Sequence, residues 1–429
     1  MTLTNAAPSG SEGNILSLAA NGVITVGDGE TLVLDHPLCM QGQDAYKRGK
    51  GTLVLRQGMC AVASRALNDN YFNIEEGVVV NEGCVTNVCP VPGAKDRSDP
   101  TNVPQFINRG DDASVGGSSF ISAMHFRAKS GDANVTDPGN GIFTQDGGVV
   151  APNMSSWSGQ GQIGFAPAGA TAGGTGTYHL VRGTFRIGSG KFFNMHGNSG
   201  FGILVQDDGL FEHNGSFDMG SGIVTLNGGT MRLSTIVNPQ PITISGGTFR
   251  PLPASFTFPS GFNLTGEGVF EIDEGKTMTL NAANPLRGNA PLNKGGDGTL
   301  VITGSGATMT GPVNVNSGTL RLTGCLPNST NMTVAADATL EVATGSASFH
   351  AQTVLCVETG GKVNLTGTGT VSVDALWLGN LPKFGHGRRY GSSSHVGNVD
   401  VVDDRFFTGT GILVVTGRSV GEGTMIIFR

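Results

Sequence analysis

The sequence predicts an all-β protein, a parallel β-helix (β-solenoid) with coils of about 20 residues. Three observations carry this. Glycine supplies 69 of the 429 residues, about 16 %, against roughly 7 % in average usage. One short pattern returns along the chain: Gly or Ala, then Thr, then a large apolar residue followed by alternation. Its best copies keep a constant distance, as Thr299, Thr319 and Thr339 show.

Each copy reads as one short strand. Gly298 to Gly304, Gly318 to Gly324 and Ala338 to Gly345 alternate apolar and polar residues and close on Gly, which is the period-2 signature of a half-buried strand. Gly183-Thr184-Phe185, Gly229-Thr230-Met231 and Gly247-Thr248-Phe249 are upstream copies. Strands this short are not stable alone and must stack on their neighbours. At about 20 residues per coil the chain would make about 21 turns, a rod of about 100 Å at about 4.8 Å per turn. Gly and Asn suit the corners, where positive φ is cheap for them. A large antiparallel sandwich or barrel array is the alternative, and the fixed spacing argues against it.

Four segments follow from the rhythm. Residues 1–83 hold N-terminal coils, with strands at Glu30 to Leu34 and Gly51 to Leu55. Residues 84–176 break the spacing, with four prolines between Pro90 and Pro104 and a Gly/Ala/Ser-rich run from Ser155 to Gly176. They read as irregular coils with long projecting loops, where binding tends to sit. Residues 177–375 are regular coils. Residues 376–429 read as a C-terminal cap over the last coil's open edge.

Composition excludes several functions. Lys+Arg 26 against Asp+Glu 33 gives a net charge of −7, with no basic block. That disfavours nucleic acid as a partner. Apolar runs such as Ile412 to Val415 are short, whereas a membrane helix needs about 20 residues, so no membrane span is expected. Met1 to Gly10 has neither the basic nor the apolar region of a leader.

The six cysteines are Cys39, Cys60, Cys84, Cys89, Cys325 and Cys356. An even number fits disulfides in an oxidising compartment. Cys84–Cys89, closing a short loop, and Cys325–Cys356, on stacked turns, are the preferred pairs. Buried free thiols are the alternative.

The run from Gly296 to Gly324 resembles the autotransporter-associated β-strand repeat of bacterial surface proteins, which reads roughly GxGTLxLTGxNTYTGxTxVxxGTLxLxG. Met309 stands at the usual aromatic. The resemblance rests on this one clear copy. It implies a right-handed parallel β-helix outside the cell and no reaction. A C-terminal membrane barrel does not fit after residue 376.

Catalytic signatures are sparse. Gly110-Asp111-Asp112 and Gly385-His386-Gly387 look like parts of a polygalacturonase signature, but they stand many coils apart, too far to act on one sugar. A glycosidase needs two carboxylates about 5–10 Å apart. The adjacent acids Asp111/Asp112, Asp207/Asp208 and Asp403/Asp404 read as turns. His179, His196 and His213 recur at an even interval close to one coil. Strand alignment breaks the metal-binding column they would need, leaving surface or corner histidines. Gly295 to Gly298 is a lone partial match to a calcium-binding roll. With two Trp and four Tyr, a glycan site has few aromatics, and the 22 Phe are expected to fill the coil interior.

His386, Arg388, Arg389 and Tyr390 form one basic cluster, a candidate surface for an acidic partner. The expectation is a non-catalytic protein without a metal or cofactor, building or decorating a cell-surface fibre, sheath or adhesin-like rod. Its expected partners are copies of itself, a glycan or a cell surface. A glycan-binding or glycan-cleaving β-helix is the alternative.

Overall fold

The computed structural model describes residues 4–5, 16–18, 21–40, 45–61, 71–86, 88–92, 102–117, 121–123, 140–152, 161–163, 174–197, 200–383 and 386–417. Among these there is no helix; short strands stack in parallel as a β-solenoid. The chain divides into two compact units, Met1–Gln240 and Pro241–Arg429.

In the first unit three ladders run side by side. The first stacks Thr31–Leu34, Thr52–Leu55, Val78–Asn81, Gln105–Arg109, the start of Gly141–Pro152, the start of Thr175–Ile187, Gly200–Gln206 and Ile223–Leu226. The second runs from Leu16–Leu18 through Leu38–Met40, Gly58–Ala61, Cys84–Thr86 and Ser114–Gly117. It continues along the later halves of Gly141–Pro152 and Thr175–Ile187 to Leu210–Asp218 and Thr230–Val237. The third begins with Val23–Thr25, Ala45–Arg48, Tyr71–Ile74 and Cys89–Pro92.

The coils are longer here than expected. In the first ladder Val78 stands on Thr52, Ile142 on Gln105 and Thr177 on Ile142. Each of these steps exceeds the roughly 20 residues of the repeat. The described residues therefore make fewer turns than the best copies imply. Within residues 84–176 the strands Cys84–Thr86, Gln105–Arg109, Ser114–Gly117 and Gly141–Pro152 are rungs of the same stack, and the expected long projecting loops lie outside the described residues.

The second unit keeps a tighter rhythm. One of its ladders stacks Ser255–Phe258, Thr277–Leu280, Thr299–Ile302, Thr319–Leu322, Thr339–Ala343, Lys362–Thr366 and Phe407–Gly409. Thr299, Thr319 and Thr339 share one column. At the corner before Thr319, Gly318 has φ +61° and lies so close to the coil below that a Cβ would sit 2.4 Å from Gly296 O. Any other residue is strained there.

The end of this unit changes polarity. Leu381–Lys383 folds back antiparallel on Ala375–Leu378, and Arg388–Gly391 runs antiparallel to Ile412–Val415. Phe407–Gly409 and Ile412–Val415, by contrast, continue the stack in parallel on Lys362–Thr366 and Thr370–Val373. The N-terminal Thr4–Asn5 lies antiparallel on Leu16–Leu18.

Alternate residues point inward and form the core. Phe185 stacks on Phe211 with ring centroids 4.5 Å apart and planes 5° from parallel. Phe193 and Phe217 meet edges and faces of the same group. All four are fully buried. Such pairs add about 0.5–1.5 kcal/mol each beyond the burial of their area.

Candidate functional site

Polar side chains enter the interior at the corners. Asn81, Asn108, Gln145 and Gln206 have no solvent exposure. Register stacks Asn81 on Asn108 and Asn108 on Gln145. Asn81 Nδ2 donates to Asn108 Oδ1 at 2.8 Å. Gln145 Nε2 donates to the carbonyls of Gly148 at 3.1 Å and Thr184 at 3.0 Å, and its Oε1 accepts from the Tyr178 hydroxyl at 2.6 Å. Gln206 Nε2 reaches Gly209 O at 3.1 Å and Thr230 O at 3.0 Å. These amides satisfy their own buried donors on backbone carbonyls of adjacent coils and corners. Burial pushes the Tyr178 hydroxyl well above its ordinary pKa, so it stays a donor.

At two further corners a lysine does this work. Lys47 Nζ donates to Gly51 O at 2.6 Å, Glu76 O at 2.9 Å and Gly49 O. Lys294 Nζ donates to Gly295 O at 2.8 Å, Gly296 O at 2.6 Å and Ser317 O at 3.0 Å. Neither side chain is exposed. Desolvation lowers both ammonium groups to a pKa of about 8, opposed by Glu76 for Lys47 and by Glu271 and Asp297 for Lys294. Each ammonium ties the carbonyls of one coil to those of the next.

The outer surface is fastened by ion pairs aimed along the stack. Glu212 lies between Arg186 at 3.0 Å and Arg232 at 2.6 Å, its partners in the coils on either side. Arg182 reaches Asp146 at 2.8 Å and Asp111 at 2.6 Å. Arg321 meets Glu341 at 2.7 Å. Asp273 takes Lys276 and Arg250, whose hydrogen bonds hold its carboxyl below the usual range. Exposed pairs of this kind contribute roughly 0–1 kcal/mol each.

The histidines separate. His213 is fully buried, not at the surface or a corner as expected. It occupies an inward column between Ile187 and Leu233 and lies beside the rings of Phe193 and Phe217. Its Nδ1 accepts from Gly215 N at 3.2 Å, and its Nε2 has no hydrogen-bond partner. Desolvation lowers its pKa to about 4, so it is neutral at pH 7. His179 bonds Asp207 at 2.6 Å on the outer surface. The His196 side chain lies outside the described residues. Phe193 stacks on Phe217, and Phe185 on Phe211, so the histidines share no column. Among the described residues no group of three or more His, Cys, Asp or Glu could hold a metal ion.

The cysteines pair differently from the expectation. Cys39 and Cys60 are register partners in adjacent coils, with Cα atoms 4.7 Å apart, and are joined. Cys84 is an exposed free thiol, and Cys325 and Cys356 are half-exposed free thiols. Cys325 stacks on Ser348, whereas Cys356 stacks between Thr333 and Trp377, so these two belong to different columns. The side chain of Cys89 lies outside the described residues.

The C-terminal cluster does not form one patch. Tyr390 is 2 % exposed, with Phe407 beside it at 6.2 Å between centroids. Arg388 and Arg389 are exposed, with the Arg388 guanidinium 6.0 Å over the Tyr390 ring. His386 Nδ1 meets Thr416 O at 2.6 Å. The adjacent acids are engaged locally: Asp207 by His179 and Asn227, and Asp403 by Arg405. Alternation would have found the buried polar residues, because Asn108 has the parity of Phe106, and His213 that of Phe211.

No protein-family model, curated protein or solved structure matches this sequence.

Proposed function

We propose that this chain is a non-catalytic, extracellular β-solenoid that builds or decorates a bacterial cell-surface structure. The observation that carries the reading is where its reactive side chains are spent. Lysines, amides, carboxylates and arginines run from coil to coil and fasten the stack. A site built for chemistry would turn such groups toward a shared cleft. The Cys39–Cys60 bond supports an oxidising compartment, and the run from Gly296 to Gly324 supports the surface-protein resemblance.

Negative-stain electron microscopy over a concentration series tests this reading. Filaments, sheets or discrete rods that bind cell-surface material agree with it. Steady release of reducing sugar from a polysaccharide overturns it.

A further inference from the structure

We infer that the outward side of the first ladder in the first unit is a self-association surface, on which a second copy of this chain packs sheet to sheet. The inference rests on the proposed structural role and adds the surface through which assembly proceeds.

Two outward columns of this ladder hold no Asp, Glu, Lys or Arg, beside a third, one pleat further along, that holds Arg109, Asp146 and Arg182. One runs from Thr31 to Ile223 through Thr52, Val78, Gln105, Ile142, Thr177 and Ile203. The other, one pleat further along each strand, runs from Val33 to Thr225. None of these sixteen positions holds Asp, Glu, Lys or Arg, although such residues make up 14 % of the chain. All but Gln105 and His179 are Val, Ile or Thr. The neighbouring second ladder places Arg186, Glu212 and Arg232 at outward positions, so charged positions border the charge-free strip on that side.

The surface is open. Val33 is 39 % exposed and Ile223 47 %. Val54, Ile107, Ile142, Thr144, Thr177 and Val205 are half-exposed, and Val80 is buried. β-Branched side chains on a regular ladder interdigitate well with a second sheet about 10 Å away. Nine of the sixteen positions are Val or Ile, five are Thr, and Gln105 and His179, the latter bonded to Asp207, complete the strip, a mixture close to that of homodimer interfaces, about 65 % apolar.

The area fits a second copy. Eight rungs at about 4.8 Å, each crossed by four residues at about 3.3 Å, give a patch of about 38 by 13 Å. Two such patches bury roughly 1,000 Å², the lower bound for a specific interface. A two-fold axis makes one patch serve as both halves.

Sedimentation velocity over a concentration series is the test. The wild-type chain is expected to associate reversibly. Thr177→Lys/Val205→Lys is expected to lower the association constant about tenfold or more, since it brings like charges together across the axis, with melting and far-ultraviolet circular dichroism unchanged. Thr319→Lys/Thr339→Lys, on the second unit, is expected to leave association intact. If the first pair does not fold, Thr144→Asp/Thr177→Asp replaces it at two half-exposed positions.

Association that survives these charges overturns the face and leaves self-assembly standing. A wild-type chain that stays monomeric throughout overturns both. Equal weakening by the control pair overturns the assignment to this ladder. Flotation with phosphatidylcholine vesicles that the Thr177/Val205 variant abolishes, without self-association, assigns the face to a lipid surface instead.

Discussion

Lowering the pH should destabilise the first unit through one side chain, His213. Its pKa falls from 6.5 to about 4 on burial. The unfolded chain therefore binds a proton between these values that the folded chain refuses. Stability rises with pH across that window, is complete above pH 6.5, and is lost as pH falls toward 4. At about 1.36 kcal/mol per pH unit, the loss comes to about 3 kcal/mol at pH 4. The first unit runs from Met1 to Gln240. With an unfolding entropy of about 2.1 cal/mol/K per residue, that loss lowers its Tm by about 6 °C. The variant His213→Leu removes the titration and matches Leu233, its neighbour in the column. Melting both proteins at pH 7 and pH 4 isolates the effect, because all other carboxylates and histidines are common to the two. The wild-type chain should lose about 6 °C more than the variant. Equal losses would refute a neutral histidine in the aromatic core.

Other substitutions report on other parts of the stack. Phe211→Ala, which empties the place between Phe185, Phe193 and Phe217, should cost about 3–5 kcal/mol by urea denaturation. Lys294→Met leaves the Gly296 and Ser317 carbonyls without their donor, while Gly295 O keeps the Ile272 N–H, and should cost about 3 kcal/mol or more. The Lys294 pKa of about 8 lies below its ordinary 10.5. Wild-type stability should therefore climb relative to Lys294→Met as pH rises from 8 to 10.5, and a fall would contradict the buried ammonium. Reducing Cys39–Cys60, whose sequence separation is 21, should cost about 3 kcal/mol. Peptide mapping should recover that link together with a free Cys84 thiol, and a Cys84–Cys89 peptide would contradict the latter.

The repeat is legible because its signal is a column. Thr299, Thr319 and Thr339 are evenly spaced in sequence and stacked in space. The first unit blurs the signal by adding residues between rungs, which changes spacing without changing register. The Cys39–Cys60 separation of 21 equals that of Thr31 and Thr52, also register partners. The spacing of Cys325 and Cys356 matches no coil in their unit, and those thiols do not meet. The interior polar residues escape a reading in which polarity means outward. Lys47, Asn108, Gln145 and His213 follow the parity of their apolar neighbours, and corner carbonyls or a core column, not water, surround them. Tyr390 escapes for a related reason. Its proximity in sequence to two arginines says nothing about the ring of Phe407, which a later strand brings to it.

The reversed strands have a consequence for size. In the first unit Thr4–Asn5 presents the second ladder with a rung of opposite direction, and in the second unit Leu381–Lys383 does the same to its own ladder. A further coil of the repeat's own direction would have to pair antiparallel there, unlike the parallel pairing inside the stack. Each unit thus has one ladder whose last described rung breaks the parallel pattern. Growth along that ladder would need a change of pairing, whereas packing side by side would not.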